Sequence, residues 1–177
     1  MTDATANADT AAATPPTHEH EPLVVTRPIR LEFDYTPGAS TSPFLHKVEE
    51  REIEGQRCPV CGKVYVPPRG SCARCGVATE ERVPVETTGT VTSFCIVDIP
   101  FAGQHVECPY VCANVLLDGA DIAFQHLVQE IDAHDVRMGL RVEAVWGDTA
   151  MPNLASIDHF RPTGEPDASY DTFKDAI

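Results

Sequence analysis

No run of about 18 consecutive apolar residues occurs in the chain, which leaves no helix suited to crossing a bilayer. The first 22 residues, MTDATANADTAAATPPTHEHEP, lack the basic start and apolar stretch of a secretory signal, and a cytoplasmic protein is expected. Positive charge is scarce: 13 Lys and Arg stand against 27 Asp and Glu, a formal net charge of −14. A nucleic-acid backbone is repelled by such a field, so general nucleic-acid binding is disfavoured. Aromatic residues make up 7% of the chain. Phe94, Tyr110 and Phe124 are the evident ones in strand-like segments, few for a base-stacking platform. GxSxG, P-loop, GxGxxG and HExxH motifs are all missing. The histidines at 105, 126, 134 and 159 have no Ser, Cys or Asp at a recognised catalytic spacing. These absences together point away from an enzyme and toward a module that binds or supports.

What is present begins with sulfur. Seven cysteines make an odd count, unlike a secreted disulfide framework. Four of them form Cys58-x2-Cys61, ten intervening residues, and Cys72-x2-Cys75. Two such knuckles let four thiolates converge on one tetrahedral centre at about 2.3 Å each, which suits zinc. Iron in the same four-sulfur cage is the alternative occupant. Gly62 and Gly76 follow the second cysteine of each pair, where positive φ turns backbone N–H groups toward the sulfurs. Because sulfur fills all four positions, none is left for water or substrate, and the metal is structural. Cys95 reads as a small buried hydrophobe in a strand. Cys108 and Cys112 lack a fourth ligand partner even with His105 nearby, and read as buried or idle thiols.

The charge is unevenly spread. Residues 57–82 carry Arg57, Lys63, Arg69, Arg74 and Arg82 against Glu80 and Glu81, a formal +3, leaving −17 for the remainder. Either exposed knuckle loops are simply basic, or they form a seat for a phosphorylated ligand or acidic partner.

Composition divides the chain into five stretches. Residues 1–22, rich in Ala and Thr, bury too little to offset ordering entropy and are expected to be disordered, and His18 and His20 on such a tail have no other ligand nearby with which to hold a metal. Residues 23–50 read as an extended segment interrupted by Pro28, turns over Thr36–Thr41, and a short helix capped by Ser42 with Pro43 in its first turn. Phe44, Leu45 and Val48 share one face of that helix, which should end near Glu50. Residues 51–82 hold the zinc ribbon, with Val64-Tyr65-Val66 as a strand arm. Residues 83–164 give strands at Thr87–Phe101, Tyr110–Leu117, Ile122–Gln129, Leu140–Trp146 and Ile157–Arg161, with a hairpin signal at Asp118-Gly119. Five short strands with tight turns fit a partly open barrel of the oligonucleotide/oligosaccharide-binding (OB) type; periodicity does not separate it from other small barrels. Residues 165–177 form an acidic tail. The expected class is therefore mainly β: a zinc ribbon, then a five-stranded OB-fold, with a short N-terminal helix.

The knuckle QRCPVCGKVYVPPRGSCARCG, the strand GTVTSFCIVDIPF and the closing IDHFRPTGEP resemble the DUF35 family over about residues 42–165. That resemblance implies a rubredoxin-like zinc ribbon before an OB-fold, in an accessory subunit of a thiolase-like or lipid-transfer-protein-like enzyme. Several such proteins belong to sterol side-chain degradation, where the partner is a thiolase-fold retro-aldolase. The implied role is non-catalytic: a hetero-oligomeric scaffold that helps form an acyl-CoA channel, with neither a membrane nor nucleic acid as partner. It also makes Arg57, Lys63, Arg69 and Arg74 candidate contacts for coenzyme A phosphates. The alternative is a nucleic-acid-binding ribbon and OB module.

Overall fold

The computed structural model describes residues 23–27 and 29–176. The expected disorder of residues 1–22, with His18 and His20, lies outside the described residues. The chain divides into two units, Met1–Asp34 and Tyr35–Ile177. In the first, the described residues carry no regular hydrogen-bonded structure, and Leu23, Val24, Val25, Ile29, Leu31 and Phe33 are exposed.

The second unit opens with α1, Gly38–Glu49. It starts earlier than the sequence predicts: Pro37 occupies the N-cap, Ser42 caps nothing, and Pro43 lies within the helix. Ser40 and Thr41, expected in the turn, and Ser42, expected as the cap, are compatible with helix once packing supports it. Phe44 and Val48, one turn apart, are buried at 2% and 0% exposure, and this anchoring outweighs local cap preference. The helix ends where expected. The Arg51 N–H bonds the Val48 carbonyl (3.0 Å) and that of Glu52 bonds Lys47 (2.9 Å). Arg51 takes φ 64°, the left-handed closure in which glycine is usual.

Two strands not foreseen in the sequence flank the cysteines. β1 (Ile53–Arg57) pairs antiparallel with β2 (Val64–Tyr65) on one side and β3 (Glu81–Val85) on the other. The strand arm predicted between the knuckles is thus a two-residue strand at the edge of a three-stranded sheet.

The remaining strands are β4 (Thr88–Val97), β5 (Tyr110–Leu117), β6 (Phe124–Val128), β7 (Arg141–Trp146) and β8 (Ile157–Pro162). They close into a barrel in the order β4-β5-β6-β8-β7, with β7 returning to β4. All pairings are antiparallel except β6 with β8, joined at Val128 and Phe160. Five strands in this order, closed through the first and fourth, form an OB-fold. The barrel is closed where the sequence suggested a partly open one. Its interior is hydrocarbon: Val91, Val111, Val115, Val142, Ile157 and Phe160 are all at most 2% exposed. Phe44, Val48, Ile53, Val64 and Val66 belong to the same apolar cluster, so helix, ribbon sheet and barrel share one core.

A bulge between Val91 and Ser93 resets β4. Val91 points inward, and uninterrupted alternation would send residues 93 and 95 inward too. The extra residue reverses the phase, so Ile96 packs on the core and Cys95 emerges exposed. The reading of Cys95 as buried is corrected by this single irregularity.

The acidic C-terminal segment packs onto the barrel. Arg137 donates from Nε (2.6 Å) and Nη2 (2.8 Å) to the two carboxylate oxygens of Asp167. The Ala168 N–H bonds the Gly139 carbonyl (2.8 Å), and Phe173 is 3% exposed. Gly139 fits there because it takes φ 89° and because a Cβ would come within 2.8 Å of the Ala168 carbonyl oxygen. Asp118 does more than turn the β5–β6 connection. Its carboxylate receives both Arg141 Nη atoms (2.8 and 2.5 Å) and the Thr88 hydroxyl (2.6 Å). That guanidinium holds the Asp118 carboxyl below its ordinary value.

Candidate metal centre

The first cysteine of each pair sits at the start of a tight knuckle. Cys58 directly follows β1; its N–H bonds the Lys63 carbonyl (2.8 Å), and its carbonyl accepts from Gly62 (3.0 Å). Cys72 repeats the pattern with Val77 (2.8 Å) and Gly76 (2.9 Å). Gly62 at φ 75° and Gly76 at φ 68° turn each chain back, as the sequence predicts. The turned backbone aims donors at sulfur: Val60 and Cys61 N–H groups approach Cys58 Sγ (3.4 and 3.5 Å), and the Cys75 N–H approaches Cys72 Sγ (3.3 Å). Such bonds stabilise thiolate charge.

The four sulfurs of Cys58, Cys61, Cys72 and Cys75 lie within 4.8 Å of one another. Cys61 Sγ and Cys72 Sγ are 3.7 Å apart. A tetrahedron with metal–sulfur bonds of about 2.3 Å has edges of about 3.8 Å, so the donor set is sized for one zinc or iron ion. Cys58 and Cys72 are buried, Cys61 and Cys75 half-buried. The Tyr65 hydroxyl lies 3.1 Å from Cys72 Sγ, a charge-assisted bond when that sulfur is a thiolate. It draws the Cys72 thiol down to about 6, while burial pushes Cys75 up to about 12.

Tyr65 and two barrel residues complete the surroundings. Ile122 packs against the cysteine cluster beside Val77. Asp121 ties the ribbon to the barrel from both ends: its carboxylate accepts from the Val64 N–H (2.8 Å), and its own N–H donates to the Val64 carbonyl (2.9 Å). Tyr65 was legible as part of the Val64-Tyr65-Val66 arm, though not as a sulfur ligand's partner. Asp121 and Ile122 had no local signal, since their contacts bridge more than fifty residues of sequence.

The basic residues of the ribbon occupy different settings. Arg57, at the end of β1, pairs with Glu81 Oε1 across the sheet at 3.5 Å. Lys63 is half-buried and follows the first knuckle; Arg69 and Arg74 are exposed in and before the second. Among the described residues, no ion pair involves Lys63, Arg69 or Arg74.

The histidines separate into two packed rings and a scatter of surface positions. His159, 7% exposed, lies between Asp158 (Nδ1–Oδ2 2.7 Å) and Glu130 (Nε2–Oε1 3.0 Å). His126 packs edge-on to Phe124 and Phe160, with ring centroids at 6.2 and 5.6 Å, and burial lowers its pKa. Its Nδ1 accepts from the Leu127 N–H (2.9 Å).

A four-cysteine ribbon joined to a closed OB barrel defines a two-part, metal-stapled β protein. Residues 46–81 match the ChsH2 rubredoxin-like zinc ribbon domain, and residues 82–147 match the ChsH2 C-terminal OB-fold domain. These matches run without a gap across more than half of the chain, which belongs to the DUF35 family. Among solved structures it is similar to one described as an Ltp2-ChsH2(DUF35) aldolase, at 24% identity and TM-score 0.56 over 73% of this chain and 98% of that one. It is also similar to a DUF35 protein of unknown function from Sulfolobus solfataricus, at 19% identity and TM-score 0.52 over 68% and 81% of the two chains. At these identities the structural likeness speaks for the fold. Among the described residues, no helix is long and apolar enough to cross a membrane.

Proposed function

We propose that this protein is a non-catalytic accessory subunit of a thiolase-fold enzyme, a lipid-transfer-protein-like thiolase or retro-aldolase, acting in steroid or fatty acyl-CoA degradation. Membership in the DUF35 family carries this reading, together with the relative whose description pairs ChsH2(DUF35) with Ltp2 as an aldolase. The chemistry of the donor set supports it. Cys58, Cys61, Cys72 and Cys75 would hold a zinc ion with sulfur in every position, so it would supply cross-linking and offer no vacant site to a substrate.

In this role the ribbon and barrel act as one rigid body on the partner, because Asp121 and Ile122 bind the metal knuckle to the β5–β6 connection. The partner performs the bond-breaking step. This chain holds it and forms one wall of the passage through which the acyl-CoA reaches it. Lys63, Arg69 and Arg74, which have no carboxylate partner within the described residues, are the side chains suited to the coenzyme A phosphates; Arg57 contributes from beside Glu81.

The test is co-expression with thiolase-fold proteins of the same host, followed by size-exclusion chromatography and acyl-CoA turnover. The expected result is a stable complex whose turnover exceeds that of the partner alone, with a raised KM for the acyl-CoA in the Arg69→Ala/Arg74→Ala variant. No complex at micromolar concentration would reject the assignment. A salt-sensitive shift of single-stranded DNA by the isolated chain would favour a nucleic-acid module instead.

A further inference from the structure

Beyond the metal centre the chain has three more cysteines, Cys95, Cys108 and Cys112. Two of them face each other. Cys95 of β4 and Cys112 of β5 are direct partners in the antiparallel register. Along β5, Val111 and Ala113 are buried and point inward, so Cys112 between them points outward. The bulge in β4 turns Cys95 to that same outer surface. Directly opposed antiparallel residues have Cα atoms roughly 4.5–5.5 Å apart, inside the approximate 4.4–6.8 Å range that disulfides span. Cys108 stands apart from this ladder in the preceding loop, where the Gln104 Nε2 donates to its sulfur (3.4 Å).

We propose that Cys95 and Cys112 form a peroxide-sensitive surface dithiol that closes to a reversible disulfide while the four ribbon cysteines keep their metal. Exposure assigns the order of events: Cys95 is open to solvent and Cys112 is half-buried. Burial, followed by the nearness of Cys95, pushes the Cys112 thiol up, which suits it to the second step rather than the first. The Cys95 thiolate attacks one oxygen of hydrogen peroxide; the O–O bond breaks, leaving a sulfenic acid on Cys95 and a hydroxide that leaves as water after taking a proton. The Cys112 sulfur then attacks the Cys95 sulfur, the S–O bond breaks, and the departing hydroxide takes the Cys112 proton. In total, two thiols and one peroxide become a disulfide and two waters, with two electrons passing from sulfur to oxygen. A dithiol reductant reverses it.

The bond would form at the base of the β4–β5 connection, whose tip exposes Ile99 and Phe101, and would fix the two strands that carry it. Cys58 and Cys72 of the ribbon are buried, and a metal bound by the four ribbon sulfurs would occupy the lone pairs that an oxidant needs.

The experiment treats the reduced, zinc-loaded full chain with one equivalent of hydrogen peroxide. Intact mass, non-reducing peptide mapping and zinc content are then measured. The expected product is lighter by about 2 Da, carries a Cys95–Cys112 link, retains its zinc, and returns to the starting mass with dithiothreitol. Cys108→Ser behaves as the parent. Cys95→Ser yields no link, and Cys112→Ser leaves a dimedone-reactive sulfenic acid on Cys95. Each substituted side chain lies at or near the surface, and retained zinc reports that the variant has folded. A first link involving Cys108 or a ribbon cysteine, zinc release before Cys95 reacts, or over-oxidation of Cys95 without any link would overturn the proposal.

Discussion

The ribbon and the barrel solve one problem with different materials. The barrel closes five strands around valine, isoleucine and phenylalanine, so each strand gains stability by burying hydrocarbon. The ribbon is a three-stranded sheet whose middle strand and one edge strand have five residues each and whose other edge strand has two, too little to hold two knuckles in place. Its inner side joins the common core through Ile53, Val64 and Val66, while its outer half gathers around Cys58, Tyr65 and Cys72. The difference teaches that metal does for the knuckles what side-chain volume does for the barrel. It predicts that the two regions fail in different ways.

The sharpest break comes from removing the metal. Structural zinc binding contributes on the order of 10–16 kcal/mol in zinc-finger peptides. Cys72→Ser, or treatment with a strong chelator, should therefore open the knuckles. Hydrogen exchange followed by mass spectrometry should show lost protection across residues 53–85, with β5 and β7 keeping theirs. Equal loss in the barrel would mean that the metal supports the whole fold, and the contrast between the regions would disappear.

The complementary substitution empties the barrel. Phe160 is 0% exposed and packs edge-on to Phe124 at 5.8 Å. Phe160→Ala should cost about 3–5 kcal/mol in denaturant unfolding. Metal content in native buffer should remain unchanged, since the four clustered cysteines sit elsewhere.

A smaller effect follows from His126, whose folded-state pKa lies below the ordinary 6.5 because of burial beside Phe124 and Phe160. Below pH 6.5 the unfolded chain takes up a proton that the folded chain refuses. Stability should therefore decline as pH falls from 6.5 and level off beneath the lowered folded value. The largest slope from one such group is about 1.4 kcal/mol per pH unit. His126→Phe should flatten that part of the stability profile; an unchanged profile would show that His126 does not contribute to it.

The clustering of the four cysteines, the order of ribbon then barrel, and all five barrel strands were legible because each rests on short-range chemistry. CxxC spacing sets sulfur geometry within four residues, and alternation sets strand faces two residues at a time. The closing of β7 onto β4 and the parallel contact of β6 with β8 join distant segments, so no local pattern records them. α1 was misplaced at its start because burial of Phe44 and Val48 in the shared core, with the helix packed on β1 and on the distant Leu154–Ser156 turn, outweighs the local cap signal at Ser42.

By itself, the sequence determined which atoms could bind a metal, because a thiolate is a ligand wherever it is placed, and it determined a mainly β chain through β-branched alternation. Tertiary structure decided what those residues meet. It brought Asp121 and Ile122 to the ribbon, Phe173 to the barrel wall, and Cys95 opposite Cys112 by way of one extra residue in β4. Such contacts depend on how strands are registered across the closed sheet. Register is a cooperative property of the packed core, and no short segment carries it.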